Sequence, residues 1–103
     1  MITLIIDTAD NQKNMVGLRI DGKEHLLIEN IPLNREQIIL VMIDKILKKY
    51  KIEAKNLSAI QVNVGPGSYT GLRVGLAIAN ALSFTLKIPV NGKNGEIILP
   101  RYK

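Results

Sequence analysis

Cysteine is absent from this sequence, and histidine occurs once, at position 25. The first absence excludes a disulfide framework and a zinc–thiolate cluster, and His25 has no sequence neighbour suited to metal binding. The chain also has no basic N-terminal segment, and its first apolar run, ITLII, is far too short to span a bilayer. We therefore expect no membrane segment and a cytoplasmic location.

Two catalytic patterns are missing as well. A ribonuclease-H-type nuclease needs several carboxylates around two metal ions, and only Asp7, at the end of the first predicted strand, is suitably placed. The fourth predicted strand ends Asn63-Val64-Gly65 and supplies no second carboxylate. The stretch GPGSYTG is followed by no Lys-Ser/Thr pair at P-loop spacing, so a Walker-type nucleotide site is also excluded.

The chain has 103 residues, of which 47% are hydrophobic and 22% charged, values typical of a folded domain. This length predicts one domain over residues 1–103 and is too short for two lobes that enclose a cleft. The net charge is +5, which permits attraction to RNA without establishing it. Basic residues gather in KILKKYKIEAK. Three of its lysines (Lys48, Lys49 and Lys51), at the end of the first predicted helix, either contact RNA or only favour the end of that helix.

The order of predicted elements is three strands, a helix, a strand, a helix and a short strand. Asp21-Gly22 between the second and third strands is a strong hairpin signal. Asn34 begins the first helix, with Gln37 as its capping-box partner, and this helix extends to about Tyr50. The second helix extends from Thr70 or Gly71 to Leu86. The predicted strands are ITLIIDT, MVGLRID, EHLLIENI, LSAIQVNV and IPVNG.

Alternating residues predict which face of the sheet is apolar. Val16 and Leu18 share one face of the second strand, and we place Leu26 and Ile28 on the same face, with His25 opposite. Both helices then cover the apolar face, and the other face meets water. The fold class is therefore α/β and ribonuclease-H-like, a mixed five-stranded sheet with three antiparallel strands first and two helices on one face. The core stripe of the first helix is predicted at Ile39, Ile43, Ile46 and Tyr50.

Both helices are more apolar than one buried face requires. The first contains IILVMI, and the second has two stripes of small residues at helical spacing: Gly71, Gly75 and Ala79, and Ala77 with Ala81. The excess apolar surface is either buried between the two helices or covered by a partner. The candidate partner residues are Ile38, Val41, Met42, Gly71, Leu72, Gly75, Ile78, Ala79 and Leu82.

The glycine-rich loop lies between a predicted strand and a predicted helix, where backbone N–H groups suit an anion. Gly65 and Gly67 flank Pro66, which favours a rigid turn, and Ser68 or Thr70 can cap the helix. The loop is therefore either a weak phosphate site or a structural corner. The candidate phosphate contacts are Asp7, Thr8, Gly65, Gly67 and Ser68.

The segment GPGSYTGLRVGLAIANALSFTLKIPV resembles the TsaB (YeaZ) family, the actin-like partner proteins of bacterial tRNA threonylcarbamoyladenosine synthesis. LIIDTAD resembles the opening IDTS strand of that family, and ILPRYK resembles its proline-x-tyrosine tail. The resemblance implies a non-catalytic scaffold without a cofactor. Such a scaffold pairs with itself or with its paralogue TsaD, the catalytic subunit, through the two helices. It also implies a place in the complex that threonylcarbamoylates adenosine 37 of tRNAs reading ANN codons.

Two features depart from the family. Its members usually have a second lobe after the IPV strand, which makes this chain a short form, and they often have a His-Ser pair where this chain has LNREQ. Without a second lobe, Asp7, Thr8 and the glycine loop hold a nucleotide weakly at best. Two alternatives therefore stay open. One is a degenerate actin-like enzyme with weak nucleotide binding, and the other is a stand-alone homodimeric interaction domain.

Overall fold

The computed structural model describes residues 1–30 and 35–101, with the backbone alone for residues 35–37. The predicted capping box of Asn34 and Gln37 lies outside these described atoms. Besides a single turn of 3-10 helix at Ala54–Asn56, the elements are β1 (Ile2–Asp7), β2 (Lys13–Ile20), β3 (Lys23–Asn30), α1 (Arg35–Lys49), β4 (Ala59–Val62) and α2 (Tyr69–Leu86).

Within the described residues, the sheet has four strands in the order β3-β2-β1-β4. β2 is antiparallel to both β1 and β3, whereas β4 is parallel to β1. The predicted hairpin between β2 and β3 is confirmed, and both of its turn residues, Asp21 and Gly22, have positive φ angles of 49° and 86°. A two-residue turn of this kind matches the right-handed twist of the strands that it joins.

The prediction of a fifth strand is wrong. Val90 forms one isolated parallel bridge with Ile60, and the chain then turns at Asn91-Gly92, where both φ angles are positive. The side-chain amide of Asn91 donates to the Val62 carbonyl and accepts from the Val62 N–H, at 3.0 and 2.8 Å. Backbone therefore pairs with the outer edge of β4 only at Ile60, and the Asn91 side chain takes the place of the expected strand backbone at Val62.

One face of the sheet forms the core with the two helices. Leu4 and Ile6 of β1 are fully buried there, as are Ile39 and Met42 of α1. Ile43 and Ile46 are buried too, as predicted. Tyr50, one residue beyond the end of α1, is half-buried against the core and packs its ring on His25, with 4.4 Å between ring centroids.

The predicted orientation of β3 is wrong. Leu26 pairs with Gly17 and Ile28 with Met15, on the face away from the helices, and the two side chains are 50% and 55% exposed. The hairpin turn fixes the register, and in a strand a shift of one residue moves every side chain to the other face. The open face is therefore partly apolar and not largely polar as expected.

In the parts of the chain that the structure describes, no helix combines the length and the hydrophobicity needed to cross a bilayer.

Candidate functional site

The glycine loop lies where the ends of β1 and β4 meet, because these two strands are parallel neighbours. The side chain of Asn63, one residue after β4, donates to both carboxylate oxygens of Asp7 at 3.3 and 3.2 Å. The Ser68 N–H donates to the Ala9 carbonyl at 2.7 Å, and the Thr8 hydroxyl donates to the Gly71 carbonyl. The five candidate phosphate contacts are thus brought together at one edge of the sheet.

The polar groups of this cluster bind one another. The Asp7 carboxylate also accepts from the Ala9 N–H at 3.1 Å, and the Gly65 N–H donates to the Asn63 side-chain oxygen at 2.9 Å. Ser68 caps α2 by accepting from the Gly71 N–H at 3.2 Å. Three N–H groups that a phosphate would use, those of Gly65, Ser68 and Gly71, therefore already have acceptors within the chain.

The loop is also packed too closely for a ligand to enter from the side of β1. A β-carbon on Gly67 would lie 2.7 Å from the Ala9 β-carbon, and Thr8 is fully buried. Among the described residues, no group of three acidic, histidine or cysteine side chains is arranged to hold a metal ion. The arrangement acts as a hydrogen-bonded corner that fixes the start of α2.

The structure corrects part of the predicted partner surface. A β-carbon on Gly75 would clash with the Thr8 hydroxyl oxygen, so the first small-residue stripe faces β1 and not a partner. Small residues are needed there because α2 crosses closely over the end of that strand. The predicted partner residues that are buried inside the chain are Met42, Gly71, Leu72, Gly75 and Ala79.

Other apolar residues of the two helices do reach the surface. Val41, one of the predicted partner residues, is 49% exposed, whereas Ile38, Ile78 and Leu82 are half-buried against the core. Leu40 beside Val41 is 52% exposed and was not among the predicted residues. Besides Tyr69 at the start of α2, the exposed apolar residues of the two helices are Leu40, Val41, Ala77, Ala81 and Phe84, and these five are here called the outer helix face.

The lysine-rich end of α1 is partly neutralised by acidic neighbours. Lys48 forms an ion pair with Asp44 at 2.9 Å, and Lys45 forms one with Glu29 of β3 at 3.2 Å. Lys49 lies over the Tyr50 ring, 5.7 Å from its centroid. These positions suit the negative end of the helix dipole.

Comparisons with known proteins agree with this architecture. The family model described as "TsaD: tRNA N6-adenosine threonylcarbamoyltransferase" matches residues 33–94, which is more than half of the chain. The TsaB protein of Buchnera aphidicola subsp. Schizaphis graminum is 42% identical over 88% of this chain and 43% of its own length. The TsaB protein of Escherichia coli K12 is 35% identical over 89% of this chain and 39% of its own length.

A solved structure of YeaZ from Pseudomonas aeruginosa is also similar, with a TM-score of 0.80 and 29% identity over 86% of this chain and 41% of that one. The fold is thus actin-like, of the ribonuclease-H-like kind. The chain spans about two fifths of the length of these relatives. On these matches, the chain belongs to the TsaB (YeaZ) family.

Proposed function

We propose that this chain is a non-catalytic partner subunit in the synthesis of threonylcarbamoyladenosine in tRNA. It pairs with a TsaD-like paralogue through the outer helix face. The names of the curated relatives support the pathway, since they are tRNA threonylcarbamoyladenosine biosynthesis proteins. The tRNA is reached indirectly, through the paralogue and the rest of the modifying complex.

The observation that carries the proposal is the outer helix face itself. Leu40 and Val41 are each about half exposed, and Phe84 is 86% exposed. Full burial of such side chains is worth about 1.5–3 kcal/mol each, so a partner that covers them gains a substantial part of this energy. Ala77 and Ala81, one helical turn apart, are small enough to let a partner helix approach α2 closely.

The hydrogen bonding of the glycine loop supports the non-catalytic part of the proposal. Asp7 and Asn63 bind each other, and the N–H groups of Gly65, Ser68 and Gly71 already have acceptors within the chain. A nucleotide would have to break these bonds to use these groups. The degenerate-enzyme alternative therefore needs a rearranged loop, whereas the partner-subunit role uses the loop as it stands.

Reconstitution of the modification reaction tests the proposal. The organism's TsaD paralogue, the threonylcarbamoyl donor and tRNA are incubated with and without this chain, and the modified nucleoside is measured by mass spectrometry. We expect the chain to raise the yield, and we expect the double variant Val41→Glu, Ala77→Glu to lose this effect. A control is Gln12→Glu, which adds one negative charge at an exposed position between β1 and β2, outside the outer helix face.

Two results would contradict the proposal. One is a yield that does not depend on the chain, and the other is modification by the chain alone, without the paralogue. Sedimentation of the chain by itself tests the remaining alternative, a stand-alone homodimeric interaction domain. A stable homodimer that does not bind the paralogue would favour this alternative.

A further inference from the structure

The last described segment of the chain, Ile97–Arg101, returns along α2 to the glycine loop. Ile97 and Leu99 are exposed at 77% and 72%, whereas Ile98 and Pro100 between them are half-buried. Ile98 packs against the core. This alternation is that of an extended strand with one face on the protein, and we call the segment the strap.

The side chain of Asn80 on α2 holds the middle of the strap. Its amide nitrogen donates to the Ile98 carbonyl at 3.0 Å, and its oxygen accepts from the Ile98 N–H at 3.0 Å. A carboxamide that binds both backbone groups of one residue replaces the pairing that a neighbouring strand would give. Asn80 therefore recognises extended backbone and not a particular side chain.

The end of the strap lies on the glycine loop. The Arg101 N–H donates to the Val64 carbonyl at 2.6 Å. A β-carbon on Gly65 would clash with the Arg101 carbonyl oxygen and would lie 2.9 Å from a methyl group of Leu72. Glycine at position 65 thus serves two needs, a φ of +110° and the close approach of the strap backbone.

We propose that the groove between α2 and the glycine loop is a backbone-binding site whose ligand is the strap of the same chain. The strap presents the Arg101 carbonyl oxygen to Gly65, and the partial negative charge of this oxygen repels an anion at that side of the loop. The strap also connects the glycine loop, at Gly65, to the middle of α2, at Asn80.

Amide hydrogen exchange on the full chain, followed residue by residue by NMR, tests this assignment. In the unmodified chain we expect the Ile98 and Arg101 N–H groups to be protected. Asn80→Ala removes the clamp on Ile98 directly, so the informative amide is that of Arg101, which does not contact Asn80. If the strap binds as one unit, Arg101 should exchange about tenfold faster in the variant, while buried α2 amides keep their protection.

Thr85→Ala is the control, since it shortens an exposed polar side chain on the same helix and should leave Arg101 unchanged. If Asn80→Ala fails to fold, Asn80→Asp replaces it, because the aspartate keeps the acceptor for the Ile98 N–H and loses the donor to the Ile98 carbonyl. Arg101 should then still exchange faster than in the unmodified chain.

Three results would overturn the assignment. The first is an unprotected Arg101 amide in the unmodified chain, and the second is unchanged Arg101 protection in the Asn80 variants. The third uses inorganic pyrophosphate as a probe. If pyrophosphate shifts the Gly65 and Gly67 resonances while Arg101 stays protected, the strap and an anion bind together, and the strap does not take the anion's place.

Discussion

Replacing Gly75 by alanine adds one methyl group where α2 crosses the end of β1. This methyl group would clash with the Thr8 hydroxyl oxygen and lie 3.5 Å from a methyl group of Ile6. Thr8 is fully buried, and its hydroxyl donates to the Gly71 carbonyl, so the oxygen cannot move away without losing that bond.

Three contributions determine the size of the effect, one stabilising and two destabilising. Alanine is favoured over glycine inside a helix by about 1 kcal/mol. Overpacking of a buried site costs about 1–3 kcal/mol. Leaving the Thr8 hydroxyl buried without its acceptor costs about 1–3 kcal/mol more. The overpacking and the lost hydrogen bond outweigh the helix propensity, so we expect Gly75→Ala to lower the free energy of unfolding by about 1–5 kcal/mol.

Urea unfolding followed by circular dichroism measures this change. It should be repeated at several protein concentrations, because self-association adds to apparent stability. As a control, Gly75→Ala is also measured in a chain that carries Thr8→Ala, which removes the clashing oxygen. There, Gly75→Ala should be neutral or stabilising by up to about 1 kcal/mol, because only the helix propensity remains. The reasoning fails if Gly75→Ala stabilises the unmodified chain, or if it weakens pairing while stability is unchanged.

Two further predictions concern ligands. Calorimetry with ATP and magnesium should show no binding tighter than about millimolar, because the N–H groups of Gly65, Ser68 and Gly71 already have acceptors within the chain; micromolar binding abolished by Asp7→Ala would favour the degenerate enzyme. Changing Lys48, Lys49 and Lys51 to glutamine should leave the tRNA affinity of the reconstituted complex unchanged over a salt series, since Lys48 is already paired with Asp44. A salt slope lower by about one unit per lysine would instead show contact with phosphates.

Local turn chemistry in the sequence was enough to predict the β2–β3 hairpin, and helical spacing was enough to predict most of the α1 core stripe. The orientation of β3 was not predictable from its own pattern, because HLLIE has apolar residues at both parities. The two-residue turn at Asp21-Gly22 determines which parity faces the helices. Counting pairs outward from that turn places Leu26 opposite Gly17, on the open face.

The glycine stripe of α2 shows a different limit. Its spacing correctly marks a helix face that something approaches closely, but spacing does not identify the neighbour. In the structure the neighbour of Gly75 is Thr8 of the same chain, and the second stripe, Ala77 and Ala81, is the exposed one. The prediction of a fifth strand was wrong for a similar reason, since the Asn91 side chain takes the place of strand backbone at Val62 of β4.

The central claim, pairing through the outer helix face, is tested most directly by titrating this chain into the TsaD paralogue of the same organism. Calorimetry should show micromolar or tighter association. The double variant Val41→Glu, Ala77→Glu should bind at least about tenfold more weakly, since it places charge in an apolar contact. Gln12→Glu should bind as the unmodified chain does, and circular dichroism should show all three proteins folded. Equal affinity of the double variant, or no association of the unmodified chain, would contradict the account.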